Sequence, residues 1–286
     1  MNVINIEHIS KIYGEKKIFD DISLGIQQDD KIGIIGINGT GKSTLLRIIA
    51  GEEVPDTGEV VRQNSLKILW LPQSPEFPET GTLASYALRG ERRTDWQGQS
   101  YLNILGLTDL DIPLSALSGG QKRKAAMARI LSQEFDVLLL DEPTNHLDME
   151  MTAWLEEYLK NMKKTLLMVT HDRYFLDRTV NKILEISHGK VYEYGTDYSG
   201  FLKMKAQREE MELASERKRK SILRMETEWA KRGCRARSTK QKARLQRLEE
   251  LKKGKGPAKE QNVELESQAV RMGRNTIELQ HISKRY

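Results

Sequence analysis

A chain of 286 residues, 38 % apolar and 6 % aromatic with a net charge of +5, has apolar material for one buried core and little for a second. Its single cysteine, Cys234, excludes an intrachain disulfide, suits a reducing compartment and reads as an incidental thiol in a turn. No apolar run approaches the ~20 residues of a membrane span, and the opening MNVINIEHIS lacks the basic and long apolar stretches of a secretory signal. The modest net charge conceals an asymmetry. Residues 199–262 carry 20 Lys and Arg against 9 Asp and Glu, a local +11 that leaves the remainder at −6. Regions of opposite sign imply two jobs: one compact domain to about Ser199 and something different beyond it.

In chain order, the first element with evident chemistry is the apolar run Lys31 to Ile35, a predicted strand. It leads into Gly36-Ile37-Asn38-Gly39-Thr40-Gly41-Lys42-Ser43-Thr44 and then the helical run LLRIIAG. That is G-x-x-x-x-G-K-S between a strand and a helix, the setting a phosphate-binding loop requires. The glycines allow backbone conformations closed to other residues, leaving amide groups turned inward beneath the positive end of the helix. Lys42 is expected to reach the β- and γ-phosphates, and the Ser43 hydroxyl to coordinate Mg²⁺.

Further on, Leu117-Ser118-Gly119-Gly120-Gln121 precedes the helix-forming run KRKAAMARIL, so its hydroxyl and amide groups offer a second anion-binding surface at a helix start. The segment Glu134 to Glu142 reads as a buried strand of a parallel sheet, with the apolar run Val137 to Leu140 ending in Asp141 and Glu142. Ligands gather at the carboxyl ends of such strands, which brings both carboxylates to the phosphate loop. One is suited to hold Mg²⁺ through its water shell, and the other to orient and deprotonate an attacking water. A second apolar strand, Thr165 to Val169, places His171 at another carboxyl end, where a turn histidine taken alone reads more often as a cap or surface group. His8, His146 and His188 read as strand surface, start of a helix and hairpin turn.

The order of these motifs resembles that of the ABC ATPases, with LSGGQ about twenty residues before Asp-Glu. The resemblance covers residues 1–198 and implies a P-loop fold: a parallel core sheet with an antiparallel β subdomain and a helical subdomain. It implies that Tyr13 stacks on adenine and that Gln73, in Leu-Pro-Gln, links Mg²⁺ and the attacking water to domain motion. Asp148 resembles the loop aspartate after the strand, and His171 the switch histidine facing the γ-phosphate. In this family Ser118, Gly119, Gly120 and Gln121 close on ATP held by an opposing domain, so two domains sandwich two nucleotides. Asp141-Glu142-Pro143-Thr144-Asn145-His146-Leu147-Asp148 and Val169 to Asp177 (VTHDRYFLD) resemble the ABC-F branch in particular, whose members lack membrane domains and typically act on ribosomes in the cytoplasm.

The basic stretch has its own reading. Ser199 to about Arg232 is rich in Glu, Lys, Arg, Met and Ala and free of Pro, which predicts a long helix. Met211, Ile222, Met225 and Trp229 fall on a rough heptad seam interrupted by Ser215 and Lys218. Gly233-Cys234 offers a turn, and a second basic helix is expected from about Thr239 to Lys253, with Leu245, Leu248 and Leu251 apolar, before Gly254-Lys255-Gly256-Pro257 ends it. The tip of this antiparallel hairpin gathers Lys231, Arg232, Arg235, Arg237, Lys240, Lys242, Arg244 and Arg247, with no acidic residue between Trp229 and Arg247. Such a surface binds phosphate backbones by charge, with RNA expected ahead of DNA, and the ABC-F resemblance implies that this RNA is rRNA and tRNA on the ribosome. The string WAKRGCRARSTKQKARLQRLEEL also resembles linkers of the Uup branch of ABC-F.

Ile277 to Tyr286 (IELQHISKRY) repeats Ile4 to Tyr13 (INIEHISKIY) with six identities in ten. The expected organisation is therefore an ABC domain over 1–198, a basic hairpin linker over 199–262, a connecting segment over 263–275, and the first strand of a truncated second ABC domain over 276–286. The missing domain, or a second copy of this one, is the natural partner. One departure stands out. Only 43 residues separate Gln73 from Leu117, too few for the helical arm usual in first domains of ABC-F proteins. The alternatives to a ribosomal ATPase are a DNA-binding ABC-F ATPase and the ATP-binding subunit of a membrane transporter.

Overall fold

The structure, a computed structural model, describes residues 1–88, 95–231 and 239–253, with residues 239–242 and 253 described by their backbone alone. The expected turn at Gly233-Cys234, the stop at Gly254 to Pro257, the connecting segment and the terminal repeat lie outside the described residues, as do Arg232, Arg235, Arg237 and the side chains of Lys240 and Lys242. The chain forms two compact units, Met1–Met211 and Glu212–Tyr286.

The first unit holds two sheets. Strands β1 (Asn2–Tyr13), β2 (Lys16–Gln27) and β4 (Thr57–Arg62) make a three-stranded antiparallel sheet in the order β2-β1-β4. Strands β3 (Lys31–Ile35), β5 (Ile68–Leu71), β6 (Val137–Asp141), β7 (Thr165–Val169), β8 (Lys182–Ser187) and β9 (Lys190–Tyr194) make a second sheet in the order β5-β6-β7-β3-β8-β9. All its pairs are parallel except β8 with the edge strand β9.

Every residue of β6 and β7 is buried because each strand feeds two cores. Val137, Leu139, Leu167 and Val169 pack toward the antiparallel sheet and the helix α1 (Lys42–Ala50). Leu138, Leu140, Leu166 and Met168 point to the opposite face. That face is covered by α2 (Leu83–Ala87), α3 (Trp96–Ile104), α4 (Gly119–Leu131), α5 (Met149–Asn161) and α6 (Arg173–Thr179). The period-2 alternation of a strand thus explains the unbroken apolar runs Val137 to Leu140 and Leu166 to Val169. The helices start on caps legible in the sequence. Ser118 and Gln121 form a reciprocal capping box on α4, and the Asp148 and Asp172 carboxylates accept from the amides of Met151 (2.9 Å) and Phe175 (3.0 Å).

The long helix α7 (Tyr198–Lys231) begins in the first unit and is rooted there. Phe201 is buried edge-on to the Tyr194 ring, with centroids 5.0 Å apart. Beside it, Glu185 on β8 is 3 % exposed, accepts from the Tyr194 hydroxyl (3.0 Å) and forms ion pairs with Lys205 Nζ (2.8 Å) and Arg208 Nη1 (2.9 Å). The Arg208 guanidinium also stacks 3.8 Å from the centre of Tyr192. Burial and the neighbouring Glu185 charge both push the Tyr194 phenol well above its ordinary pKa.

In the second unit, the remainder of α7 pairs with α8 (Thr239–Lys253). Arg219 Nη1 donates to Leu251 O (2.7 Å), whereas Arg244, earlier in α8, reaches Glu226, later in α7 (2.6 and 2.9 Å). Those contacts run in opposite chain directions, so the two helices are antiparallel. Leu248 is buried and Leu245 and Leu251 half-buried, as their spacing implies. The seam expected on α7 is different. Ile222 and Trp229 are half-buried, but Met211 is 70 % and Met225 60 % exposed. Polar positions interrupt the heptad, so no continuous apolar stripe forms, and aromatic and charged contacts such as Arg244 over Trp229 (4.0 Å) contribute instead.

Removing the Glu185 carboxylate leaves two cations and a phenol without their shared acceptor. Glu185→Ala is expected to destabilise the first unit by about 3 kcal/mol, read as a lower urea midpoint, while Tyr192→Leu, at the margin of the cluster, costs less.

Candidate active site

The site lies where β3, β6 and β7 end. Strand β3 is hydrogen-bonded between β7 and β8, so the loop that follows it is held on both sides. A side chain at Gly36 would sit 2.6 Å from the carbonyl oxygen of Ile186, and one at Gly41 (φ +103°) would collide with Ile18 and Phe19. The loop is therefore pressed against both sheets, and glycine is required by space as well as by dihedral angle. Gly41 caps α1, whose first turn carries Lys42, Ser43 and Thr44. The Lys42 ammonium folds over its own loop, donating to Gly36 O (2.8 Å) and Ile37 O (3.2 Å) and to Asn38 Oδ1 (3.4 Å).

Asp141 is the last residue of β6, and Glu142 follows in a left-handed conformation (φ +54°), its amide donating to Val169 O (2.7 Å). A non-glycine residue in that region costs on the order of 1–3 kcal/mol. The Glu142 carboxylate is aimed at His171: Oε2 accepts from the His171 amide (3.4 Å), and His171 Nε2 stands 3.5 Å from Oε1. Oε1 is buried and has no hydrogen-bond partner among the described residues. Burial raises the pKa of Glu142, an effect that His171 opposes and the Asp141 charge reinforces. Burial likewise raises Asp141, against the pull of a Ser43 hydrogen bond and the charges of Arg123 and Lys42. The Lys42 ammonium is lowered by burial, against both carboxylates.

These groups surround one cleft of about 510 Å³. Of the residues expected from sequence, Asn38, Gly39, Gly41, Lys42, Ser43, Thr44, Gln73, Asp141, Glu142 and His171 line it. Gly36 and Thr40 shape the loop without facing the cleft, the Thr40 hydroxyl donating to Ile37 O (2.9 Å). Tyr13, at the end of β1, is 44 % exposed, with its hydroxyl on Glu53 and Lys11 Nζ 5.6 Å from its ring centre. Ser118, Gly119, Gly120, Gln121 and Asp148 do not line the cleft: Ser118 and Gln121 cap α4, Gly119 and Gly120 lie in its first turn, and Asp148 caps α5. His146 sits in a left-handed turn (φ +68°) ahead of the Asp148 cap, where the sequence suggested the start of a helix; a side chain at Gly120 would touch it at 3.4 Å. Asn145 and Val169 line the cleft but were not expected there. Asn145 stands in the turn after Glu142, a position visible in the motif but mute about where its side chain points. Lys16 was also missed; it donates to Gly39 O (2.8 Å) from the preceding hairpin.

The donor set suits a hard cation. Ser43 Oγ, the Asp141 carboxylate and the Gln73 amide are oxygen-rich neighbours in one cleft, and both carboxylates carry raised pKa values that a positive charge would relieve. No cluster of three His, Cys, Asp or Glu side chains occurs among the described residues. A Mg²⁺ ion held here would rest on one or two protein ligands plus phosphate and water, its ordinary preference.

Comparison with known proteins agrees with this geometry. Residues 19–145 match the ABC transporter family, and residues 184–266 match a second ABC transporter family that describes an extension. The chain is 37 % identical to the uncharacterized ABC transporter ATP-binding protein YfmR of Bacillus subtilis (strain 168), an alignment covering 100 % of this chain and 52 % of the relative. It is 35 % identical to the energy-dependent translational throttle protein EttA of Escherichia coli (strain K12), and 32 % identical to that of Mycobacterium tuberculosis (strain ATCC 25618 / H37Rv). Both alignments cover 99 % of this chain and 59 % of the relative. The chain thus spans little more than half the length of the curated relatives it matches. The alignment with YfmR runs over 328 residues against the 286 of this chain, so the relative carries residues that have no counterpart here. Among solved structures, the ATP-binding subunit of an ABC transporter superposes with a TM-score of 0.61 at 20 % identity, covering 68 % of this chain and 90 % of that one. A dimeric ATP-binding cassette bound to ADP and Pi superposes at 0.57 with 24 % identity, covering 67 % and 98 %. The fold is that of a P-loop ABC ATPase.

The electrostatics carry a stability consequence. Glu142 holds its proton more tightly in the folded chain than in the unfolded one, so ionising it costs stability, increasingly as pH rises from the ordinary carboxylate range through the folded value. Glu142→Gln removes that cost. Its melting temperature is expected to exceed that of the parent at pH 7.5, by a stabilisation of about 1 kcal/mol typical of relieved active-site strain, and the difference should shrink as pH falls toward 4.

Proposed function

The chain carries an ABC ATP-binding domain followed by an ABC-type extension, and from that premise we propose that it is a Mg²⁺-dependent ATPase of the ABC-F type that acts on the ribosome. The observation that carries the hydrolytic part is the convergence of the phosphate loop with a buried, strained Glu142 held against His171. ATP places its phosphates in the loop formed by Gly36, Asn38, Gly39, Thr40, Gly41, Lys42, Ser43 and Thr44, with its base on Tyr13. Lys42 exchanges its contacts with the loop carbonyls for the β- and γ-phosphate oxygens. Ser43, Asp141 and Gln73 hold Mg²⁺, which when bound neutralises phosphate charge. Glu142 orients a water molecule and takes its proton as the water oxygen bonds to the γ-phosphorus. The bond from that phosphorus to the β–γ bridging oxygen breaks, and ADP leaves with the electron pair. His171 faces the γ-phosphate and keeps the Glu142 carboxylate aimed.

Ser118, Gly119, Gly120, Gln121 and Asp148 complete the site of an opposing domain, either a second ABC domain in a longer chain or a second copy of this one. Their absence from the cleft of their own domain suits that division. The basic hairpin meets rRNA and tRNA through Lys231, Arg232, Arg235, Arg237, Lys240, Lys242, Arg244 and Arg247. Arg244 contributes less than the others because Glu226 already holds it. The ribosomal reading draws on the throttle-protein relatives, on the ABC-F motifs and on the concentration of positive charge. Among the described residues no helix is long and apolar enough to cross a membrane, and the expected location is the cytoplasm.

Three measurements test this. Glu142→Gln is expected to leave ATP binding intact and to slow single-turnover hydrolysis by about 10²–10⁴-fold; a parental rate refutes the assignment. Because each site needs an opposing signature segment, turnover per chain is expected to rise with chain concentration, and concentration-independent turnover by a monomer excludes the shared site. Binding to ribosomes is expected to weaken with salt, and Lys231→Gln or Arg247→Gln to reduce the salt slope by about one phosphate contact each. Equal or tighter binding to duplex DNA at matched salt assigns the hairpin to DNA instead.

A further inference from the structure

Arg123 lies in α4, shortly after the capping box of Ser118 and Gln121, and is 4 % exposed. Its partners are main-chain carbonyls. Nη1 donates to Gln73 O; Nη2 donates to Asp141 O and, at 2.5 Å, to Glu142 O. Burying a guanidinium is costly unless its donors are matched; here the two Nη groups meet acceptors from two separate segments, which a lysine ammonium cannot reproduce, while Nε has no hydrogen-bond partner among the described residues. The residues gripped are Gln73, Asp141 and Glu142, whose side chains line the cleft. One of them, Glu142, is the residue held in a left-handed conformation.

We propose that Arg123 is a positioning residue for hydrolysis: it fixes the peptide planes that aim Glu142 and Gln73, and ties that aim to the position of the signature helix α4. Resting on the reading that Glu142 activates water, the inference supplies a route by which an opposing domain is sensed. A domain closing on Ser118 to Gln121 bears on the first turn of α4, and Arg123, carried by that helix, sets the carboxylate. A buried arginine that merely filled space or braced a loop would influence folding and nucleotide binding together. A positioning residue influences the chemical step alone, and misplacement of a reacting group by about 1 Å can cost on the order of 10²-fold.

The test uses Arg123→Lys in the full chain, with thermal melting, ATP affinity and single-turnover hydrolysis measured together. The expected result is a folded chain with ATP affinity within about threefold of the parent and hydrolysis slowed about 10²-fold. In the Glu142→Gln background, Arg123→Lys is expected to add little further slowing, because the group it aims is already gone. Should the lysine variant fail to fold, Arg123→Met, which refills the space without a buried charge, is expected to give the same readings. The proposal is overturned by a parental hydrolysis rate, by a loss of ATP affinity matching the loss of rate, by full additivity with Glu142→Gln, or by failure of both variants to fold. A parental rate for Glu142→Gln alone overturns instead the assignment of Glu142 on which the proposal rests.

Discussion

Burial of the central strands on both faces is the constraint from which the remaining structure follows. Strands β3, β6 and β7 separate two cores, so between their ends no side chain meets water. The chemistry gathers at their carboxyl ends, where the loop after β3, the Asp141-Glu142 pair after β6 and His171 after β7 converge. The resulting cleft is built from a few residues beyond each strand and rests on the fully buried centre of the sheet. The strained dihedral at Glu142 is sustained because the Val169 carbonyl and the Arg123 fork both hold its main chain.

Much of this was legible in the sequence because its signals are local. The strand at Lys31–Ile35 and the helix at Thr239–Lys253 have the bounds that residue patterning implies, since a run of apolar residues between glycines or a run of strong helix formers needs no tertiary help to be recognised. The cleft lining from Asn38 to Thr44 follows in the same way from G-x-x-x-x-G-K-S. What stayed hidden depends on contacts between segments far apart in the chain. Nothing near Arg123 announces that its guanidinium closes on carbonyls of residues 73, 141 and 142, and nothing near Glu185 announces that two cations and a phenol converge on it. Asn145 has the same difficulty at shorter range. The expected seam on α7 failed for a related reason: Met211 and Met225 have the right spacing, but a seam also needs partners across it.

The two regions of opposite charge solve their electrostatics differently. In the cleft, burial strains the ionised forms of Asp141, Glu142 and Lys42 together, so each depends on the opposite charge of its neighbours. On the hairpin, charge is largely solvated, and part of it is already engaged in internal pairs such as Arg224 with Glu228 and Arg244 with Glu226. Exposed pairs of this kind contribute little to stability, so the hairpin can surrender them to a polyanion at small cost.

The folded-back Lys42 lets the loop brace itself. Its ammonium bridges Gly36 O, Ile37 O and Asn38 Oδ1, closing the ring from within. Loop shape and side-chain placement are thereby coupled, because turning that one flexible side chain outward releases two main-chain carbonyls at once.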